Sequence, residues 1–270
     1  MAIDQDAPDF VTSLARGLAV IRSFDKDAPS MTLAEVAERT SLSRPTARRF
    51  LLTLESLGYV LSDGKRFWLA PRTLDLGYAY LSSLRIWDVT QPSMRAVVDE
   101  LNESCSMGVL DGAEILYIAR VPPKHLMGLQ VNPGTRLPAH CTSIGRVLLA
   151  ELDEPALAAF MRGGKRRAYT SRTVTAEKDL RRILRGVKEA GYALIDQEVE
   201  EGLRAIAVPV RRPGARAIAA LSVGAHTGRL TKTEMARRVL PPLRRCAREI
   251  EDILLRSDHP LLATGATPRR

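Results

Sequence analysis

Arginine side chains are concentrated at the start of the segment SLSRPTARRFLLTLESLGYV, residues 41–60. Arg44, Arg48 and Arg49 all precede its leucine-rich second half. A guanidinium can bond to two acceptors on a guanine edge or pair with a phosphate, and a threonine can contact a thymine methyl group or a phosphate. The chemistry open to this cluster is therefore recognition of a nucleic acid, provided that the local fold turns these side chains outward.

Capping signals and apolar periodicity place this cluster within a group of three helices. The predicted helices cover residues 12–24, 31–40 and 44–57. Thr12 or Ser13 caps the first helix, Thr32 and Glu35 have capping-box spacing at the second, and Ser43 caps the third. Each helix therefore has a defined start. The first helix is expected to turn Leu14, Leu18 and Ile21 inward.

A predicted hairpin follows the helices. Gly58 ends the third helix, and two short apolar runs flank Asp63-Gly64, a pair typical of tight hairpin turns. The second and third helices are separated by only three residues, 41–43. This order predicts a winged helix-turn-helix over residues 10–70, with the third helix as the recognition helix.

The apolar positions of the third helix point to the core, so its arginines lie on the outer face. The residues that we assign to DNA contact lie on that face, at the helix starts and at the hairpin tip: Thr32, Ser43, Arg44, Pro45, Thr46, Arg48, Arg49, Thr53, Lys65 and Arg66. The alternative is a solvated helix with a few arginines. The neighbouring capped helix, the short turn and the basic hairpin tip together favour DNA binding.

Bulk charge does not identify the nucleic-acid site. The 270-residue chain carries a net charge of +9, but residues 1–70 contain nine Lys or Arg and nine Asp or Glu. Part of the excess of positive charge lies further along the chain, in RGGKRRAYTSR, residues 162–172. Three well-separated cysteines, a polar N-terminus and the lack of a long apolar run indicate a reduced cytoplasmic protein with no signal peptide or membrane span.

The pattern changes after a predicted linker helix over residues 71–86 and a break expected near Gln91-Pro92. Residues 87–258 are expected to form a mixed α/β domain around a mainly antiparallel sheet, and residues 259–270 a disordered tail. Predicted strands lie within 106–121, a hairpin around an Asp-Gly turn, and at 125–134, 193–198, 205–210 and 217–224. Predicted helices lie at 142–152, 154–162, 175–192 and 231–257, the last kinked at Pro241-Pro242.

A candidate ligand site lies in NPGTRLPAHCTSIGRVLLA, residues 132–150, where a loop runs into a helix start. The loop carries Gly134, Pro138, His140, Thr142 and Ser143. Free backbone N–H groups and the helix dipole suit a carboxylate there, although serine and threonine are also ordinary helix caps. The segment lacks the Gly-Lys-Ser/Thr of a phosphate-binding loop.

Other reactive side chains suggest binding rather than catalysis. His140 and Cys141 are adjacent, and residues adjacent in a loop rarely point at one another, so we expect no nucleophile and no enzyme. The remaining histidines have no metal-ligand spacing, so we expect no metal and no cofactor. Asp196 and Arg204 border an acidic loop and could bind a polar ligand or pair with each other.

Four segments together resemble the IclR family of bacterial transcription regulators. They are APDFVTSLARGLAVIRSF, HCTSIGRVLLA, TSRTVT and DQEVEEGLRAIAVPV. The resemblance extends over residues 10–258, and these motifs look like the Pca/Pob branch, which controls catabolism of aromatic acids through protocatechuate and β-ketoadipate.

The resemblance implies an α+β chain: an N-terminal winged helix-turn-helix, a linker helix and a C-terminal GAF-like effector domain. Such proteins act as dimers or as dimers of dimers and bind a small carboxylate in the effector domain. Carried onto matching positions, the effector site comprises Leu126, Leu129, Leu137, Ser143, Ile144, Asp196, Ala205, Ser222 and Gly224. Relatives often have Gly-Ala at Ser143-Ile144. His140, Thr142 and Arg204 are additional candidates from the residues themselves.

The expected partners follow from the N-terminal DNA-binding domain and the C-terminal effector domain. They are palindromic double-stranded operator DNA, a small organic acid of the protocatechuate, 4-hydroxybenzoate or β-ketoadipate class, a second or further copies of the chain, and RNA polymerase as a further candidate. No membrane is expected, and the protein is expected at the nucleoid. Two alternatives stay open: an enzyme with a regulatory N-terminal domain, and a nucleic-acid-binding adaptor whose second domain only oligomerises.

Overall fold

A computed structural model of the chain describes residues 7–77, 86–123, 131–211 and 216–256, with the backbone alone for residues 86–89. The chain divides into two compact units, Met1–Tyr80 and Leu81–Arg270. The division falls among the residues that we assign to a linker helix, of which 78–85 lie outside the described residues. Across the described ranges, no helix has the length and apolar character needed to cross a membrane.

The N-terminal unit is a three-helix domain with a small sheet. Its elements are α1 (Thr12–Arg22), β1 (Met31–Thr32), α2 (Leu33–Thr40), α3 (Arg44–Ser56), β2 (Val60–Ser62) and β3 (Arg66–Leu69). The strands pair antiparallel in the order β1-β3-β2. A core that includes Val20, Val36, Leu51 and Val60 joins the helices to the sheet. The predicted winged helix-turn-helix is confirmed.

Three local predictions for this unit were wrong. The N-cap of α1 is Val11, with no side-chain hydrogen bond, so neither Thr12 nor Ser13 caps it. Leu14 and Leu18 are 63% and 46% exposed, because the inward face of α1 is centred on Val20. The second helix begins two residues later than predicted, at Leu33, because Met31 and Thr32 pair with β3 before the helix starts.

The C-terminal unit is built on a six-stranded antiparallel sheet. Its strands are β4 (Ser104–Asp111), β5 (Glu114–Val121), β6 (Arg136–Pro138), β7 (Ala193–Asp196), β8 (Leu203–Arg211) and β9 (Ala217–His226), in the spatial order β6-β5-β4-β9-β8-β7. The Asp-Gly hairpin between β4 and β5 is confirmed, with Asp111 opposite Glu114. β6 was not predicted. Residues 125–130 of the predicted strand 125–134 lie outside the described residues, and residues 131–134 form no strand.

Helices cover both faces of this sheet. They are α4 (Ile86–Leu101), α5 (Ser143–Ala150), α6 (Glu154–Arg162), α7 (Glu177–Ala190), α8 (Lys232–Glu234) and α9 (Leu240–Arg256). One core joins α4 and α9 to alternate strand residues such as Met107 and Val223. A second core joins α5 and α7 to the other face of the sheet, for example at Ala207 and Ala220. The α+β fold class is thus confirmed.

Prolines shape two helices differently from the predictions. No break occurs at Gln91-Pro92, because α4 continues through Pro92. The kink expected at Pro241-Pro242 takes the form of a π-helical turn, Met235–Val239, immediately before α9. Neither proline has an N–H to donate to the preceding turn, so the wider hydrogen-bonding pattern of a π turn is accommodated there.

Candidate functional site

The recognition helix α3 begins with an ordered cap. Ser43 Oγ accepts the N–H of Thr46 at 3.4 Å, and the two hydroxyls lie 2.8 Å apart. Pro45 occupies the first turn, where a missing N–H costs nothing. Arg44, Arg48 and Arg49 are exposed, whereas Ala47, Leu51 and Leu54 are buried. The structure therefore presents the three arginines together on the outer face of the helix.

The turn between α2 and α3 is tight. Ser41 adopts a left-handed conformation, with φ at 54°. The N–H of Leu42 donates to the carbonyl of Ala37 at 3.0 Å and closes the end of α2. Thr53, further along α3, donates its hydroxyl to the carbonyl of Arg49 at 2.8 Å. The two helices are thus held at a short, closed corner, as the helix-turn-helix arrangement requires.

The wing is tied to the start of α2 through Arg66. Its guanidinium donates to the carbonyl of Ser30 at 2.5 Å and to Ser30 Oγ at 2.9 Å, and lies 3.5 Å from Glu35. Glu35 also accepts the N–H and hydroxyl of Thr32, which lowers the pKa of its carboxyl. Lys65 lies at the exposed tip. Of the assigned wing residues, Arg66 is therefore held in the fold and Lys65 extends from it.

A cavity of about 890 Å³, its open mouth included, lies on the sheet of the C-terminal unit. Its floor is made of small residues on three neighbouring strands: Ser104, Ser106, Ser222, Gly224 and Ala205. Ser104 pairs with Gly224, Ser106 with Ser222, and Ala205 with Gly224, so they form one continuous patch. Small side chains leave the sheet surface open between the helix start and the loops, which makes the concavity.

The strand residues that lie between the floor residues point to the opposite face of the sheet and pack into the core. Residues two apart on a strand share a face, so Cys105 and Val223 point away from the floor. Both are fully buried in the core against α4 and α9. The alternation of small and large side chains along β4 and β9 therefore separates a ligand-accessible face from a packed face.

One end of the cavity is the start of α5. Thr142 caps the helix, its hydroxyl accepting the N–H of Gly145 at 3.2 Å, and Thr142 and Ser143 both line the cavity. Every residue of α5 is buried. A Cβ on Gly145 would lie 2.1 Å from the carbonyl oxygen of Ala139, so only glycine permits this close approach. The first N–H groups of a helix have no partner within it, and here they adjoin a cavity.

Acidic and basic side chains gather at the other end. Glu103 is 6% exposed, and its Oε1 lies 3.0 Å from Nε of Arg229. Burial raises the pKa of the Glu103 carboxyl, and the charge of Arg229 opposes that rise. Glu200 and Glu201 border the mouth. The two ends of the cavity thus differ in charge: a helix N-terminus at one, carboxylates around one paired arginine at the other.

Several hydroxyl-bearing residues that are largely buried line the cavity. Ser106 is 4% exposed and Ser222 is 7% exposed, and both line the cavity. Within the part of the chain that the structure describes, neither hydroxyl makes a hydrogen bond, and the same holds for Tyr117 and Ser143. Burial raises the pKa of Tyr117 to about 12, so its hydroxyl stays protonated and can donate. Hydroxyls that open into a cavity in this way are available to bond a polar ligand.

The lip of the cavity, residues 199–203, is fixed by a buried ion pair beside it. Arg146 donates from Nη1 and Nη2 to the two carboxylate oxygens of Glu198, each at 2.6 Å. Arg146 also donates from Nε to the carbonyl of His140 at 3.0 Å. Glu198 accepts the N–H of Val174 at 3.0 Å. The pair therefore joins α5, the lip and the segment before α7.

The assigned effector residues divide into three groups. The cavity is lined by Leu137, Thr142, Ser143, Ala205, Ser222 and Gly224. It is not lined by His140, Ile144, Asp196 or Arg204. Leu126 and Leu129 lie outside the described residues. Lining residues that we did not anticipate include Glu103, Ser104, Ser106, Tyr117, Glu200, Glu201, His226 and Arg229. The alternation of serines along β4 could have indicated two of these residues, Ser104 and Ser106, from the sequence.

The four assigned residues outside the lining have structural partners. His140 Nε2 lies 3.0 Å from the carbonyl of Arg167, and burial lowers the pKa of its imidazole. Arg204 pairs with Asp196, with Nη2 and Oδ1 2.7 Å apart, which is the second of the two alternatives considered for these residues. Ile144 packs over Gly108, where a Cβ would lie 3.3 Å from its side chain.

Neither nucleophilic nor metal chemistry is supported at the site. Burial raises the pKa of Cys141 to about 12, which suppresses its thiolate. Among residues that the structure describes, no three His, Cys, Asp or Glu side chains are grouped to hold a metal ion. The arrangement is suited to binding a small polar molecule.

Sequence comparisons agree with the two-unit geometry. The family model for the IclR helix-turn-helix domain matches residues 13–64, and the bacterial transcriptional regulator IclR C-terminal model matches residues 78–252. The chain is 42% identical over 244 residues to the Pca regulon regulatory protein of Pseudomonas putida, covering 90% of this chain and 84% of that one. It is 36% identical over 251 residues to the p-hydroxybenzoate hydroxylase transcriptional activator of Acinetobacter baylyi, covering 91% and 93%.

A solved structure extends the comparison to the fold. The structure is that of an IclR homolog from Microbacterium hydrocarbonoxydans complexed with 4-hydroxybenzoate, and it matches with a TM-score of 0.77 at 26% identity, covering 90% of this chain and 99% of that one. The two relatives named above are a regulon regulatory protein and a transcriptional activator. With both family models matched and the expected fold in place, the chain belongs to the IclR family of bacterial transcriptional regulators.

Proposed function

We propose that this regulator controls an operon for aromatic-acid catabolism by binding a palindromic operator through α3 and a small organic acid through the cavity. It acts as a dimer or a dimer of dimers, at the nucleoid, so that two recognition helices meet two half-sites. RNA polymerase is a further partner in this scheme. The observation that carries the proposal is a cavity lined by hydroxyl-bearing residues in a chain that also presents three arginines on a capped recognition helix.

The DNA half of the proposal rests on α3 and the wing. The exposed Arg48 and Arg49 are candidates for base contacts, and the exposed Lys65 is a candidate for a contact to the DNA backbone. Ser43, Pro45 and Thr46 shape the helix start. Base contacts carry sequence preference, and phosphate contacts carry salt-dependent affinity.

The effector half rests on the cavity and on the relatives. The Pseudomonas relative is a Pca regulon regulator, the Acinetobacter relative activates transcription for p-hydroxybenzoate hydroxylase, and the Microbacterium homolog was solved with 4-hydroxybenzoate. The helix start at Thr142 and Ser143 is suited to a carboxylate. Effector binding changes operator affinity only as far as the acid prefers one arrangement of the protein over another.

A gel-shift experiment tests both halves. The probe is the intergenic DNA upstream of the chain's own gene, with protocatechuate, 4-hydroxybenzoate or β-ketoadipate added separately. We expect a shift that one acid alters. A shift insensitive to every acid would refute the effector half, and conversion of an acid by the protein would favour the enzyme alternative.

Arginine variants test the helix assignment. Arg48→Ala and Arg49→Ala should each weaken specific binding by roughly 1–3 kcal/mol per lost base contact, because a guanidinium can no longer bond a guanine edge. Arg22→Ala, which removes an exposed arginine from α1, is the matched control and should leave specific affinity nearly unchanged. Titration of operator against unrelated DNA at fixed salt provides the measurement. Parental affinity in both α3 variants would contradict the assignment.

A further inference from the structure

The two ends of the cavity favour different ligand groups. The start of α5 offers N–H groups and the positive end of a helix dipole. The far end presents the carboxylate of Glu103, already paired with Arg229, with Glu200 and Glu201 near the mouth. A carboxylate is favoured at the first end and opposed at the second, where Arg229, the one arginine among the described lining residues, is already paired with Glu103.

The floor sets the distance between these ends. Ile144, at the start of α5, packs over Gly108, and Ser106 and Ser104 follow on the same face of β4 toward Glu103. Four residues of a strand span roughly 13 Å. A ligand lying along the floor therefore has one end near α5 and its other end directed toward Glu103.

The shape of the floor favours a flat ligand. Ser106, Ser222, Ala205 and Gly224 leave the pleated surface low and even, while Tyr117 stands at the wall. Flat apolar rings bind well against such surfaces, and a few convergent polar groups fix their orientation. The hydroxyls of Ser106 and Ser222, which both line the cavity, supply two of these groups.

Resting on the proposed function, we propose that Glu103, held by Arg229, is a specificity residue that accepts the ring hydroxyl of a hydroxylated aromatic monocarboxylic acid. Ser106 and Ser222 bond the same ligand along the floor. A hydroxyl can donate to the Glu103 carboxylate, whereas a second carboxylate would meet like charge there. The cavity thus selects a hydroxylated aromatic monoacid over both an unsubstituted aromatic acid and an aliphatic dicarboxylic acid.

Calorimetric titration of the full chain with three acids tests the selectivity. The acids are 4-hydroxybenzoate, benzoate, which lacks the hydroxyl, and adipate, which carries a second carboxylate. We expect 4-hydroxybenzoate to bind at least about tenfold more tightly than either of the others, the magnitude of one hydrogen bond to a charged group. Equal affinity for benzoate, or tighter binding of adipate, would overturn the inference.

Variants at Glu103 assign the selectivity to that residue. Glu103→Ala should lower the affinity ratio of 4-hydroxybenzoate to benzoate to about one, and Glu103→Gln should retain part of the ratio because its carbonyl still accepts a hydrogen bond. Benzoate affinity itself should change little, which a merely structural loss would not produce. Glu100→Ala is the matched control and should keep the parental ratio. It removes an acid on the surface of α4 that pairs with Arg245 of α9.

The outcomes separate this inference from the proposed function. Binding of acids with a ratio that Glu103→Ala does not change overturns the role of Glu103 and leaves the effector site standing. If Glu103→Ala fails to fold, two other variants test the inference. A parental ratio of 4-hydroxybenzoate to benzoate affinity in Glu103→Gln would overturn it. Parental affinity for 4-hydroxybenzoate in Ser106→Ala would also overturn it. No binding of any acid by the folded parent protein overturns both proposals.

Discussion

Arg146 is the residue on which the ordering of the cavity lip most depends. It is 3% exposed and bonds both carboxylate oxygens of Glu198. A buried pair of this geometry does not itself guarantee net stability, since both charges have lost their hydration. Removing one partner is a different matter, because the remaining charge is then buried without compensation.

We expect Arg146→Met to lower the free energy of unfolding by about 3–5 kcal/mol, because the Glu198 carboxylate is left without its cation. The double variant Arg146→Met/Glu198→Leu should be less destabilised than the single variant. Urea denaturation of all three proteins measures the difference. Equal destabilisation of the single and double variants would show that the pair is not coupled as described.

Residue-level prediction from the sequence succeeded where the signal was local. Ser43 as a cap and the Thr32–Glu35 capping box follow from spacings of three residues, and the structure has both. Glu103 and Arg229 are 126 positions apart, and nothing in either neighbourhood indicates that they meet. Asp196 and Arg204 did appear as a candidate pair, because they flank one loop.

The helix α5 is the element that joins the site to the fold. It lies buried on all sides, and its start can approach the 3₁₀ turn at Ala139–Cys141 only because residue 145 is glycine. The position of its first N–H groups therefore depends on the absence of one side chain. Gly186, within α7, offers a contrast, since a Cβ there would have nothing within 4 Å.

We expect Gly145→Ala to destabilise the protein by about 1–3 kcal/mol or more, because the new Cβ would collide with the backbone of Ala139. It should also weaken acid binding by shifting the start of α5. Gly186→Ala is the control and should be neutral or stabilising, by up to about 1 kcal/mol, since alanine favours a helix. Thermal unfolding with and without 4-hydroxybenzoate measures both effects. Parental stability in Gly145→Ala would contradict the close approach.

Elements were predictable where their pattern was continuous and regular. The Asp-Gly hairpin of β4 and β5 and the helices α6 and α7 follow from alternation and periodicity. The pairing of β1 with β3 involves only two residues, Met31 and Thr32, and their partners Phe67 and Arg66 lie far along the chain, so no local pattern marks it. Pro92 indicated a break that does not occur, because α4 packs into the core through Met94, Val97 and Val98 just after it, and these tertiary contacts outweigh the local cost.

On the scale of the whole molecule, the effector cavity lies entirely within the unit Leu81–Arg270. The N-terminal unit has its own core, including Val36 and Leu51. A ligand stabilises only the cooperative unit whose folded form binds it. Ligand binding should therefore raise the unfolding temperature of the C-terminal unit and leave that of the N-terminal unit unchanged.

We expect differential scanning calorimetry to resolve two transitions, of which saturating effector raises only that of the C-terminal unit. At a ligand concentration one hundred times Kd, the stabilisation is about 2.7 kcal/mol. Arg48→Ala, which changes an exposed residue of the N-terminal unit, should leave the ligand-induced increase in Tm unchanged. A single transition that moves as a whole with ligand would contradict independent units.

The alternation along β4 and β9 also has an evolutionary consequence. Ser104, Ser106, Ser222 and Gly224 face the cavity, while the residues that alternate with them, Cys105, Met107, Leu221 and Val223, belong to the packed face. Mutations on the cavity side change what fits without disturbing the side that keeps the domain folded. We expect single substitutions at these positions to change which acid binds, so that a biosensor for a different acid could be selected from a library confined to the floor.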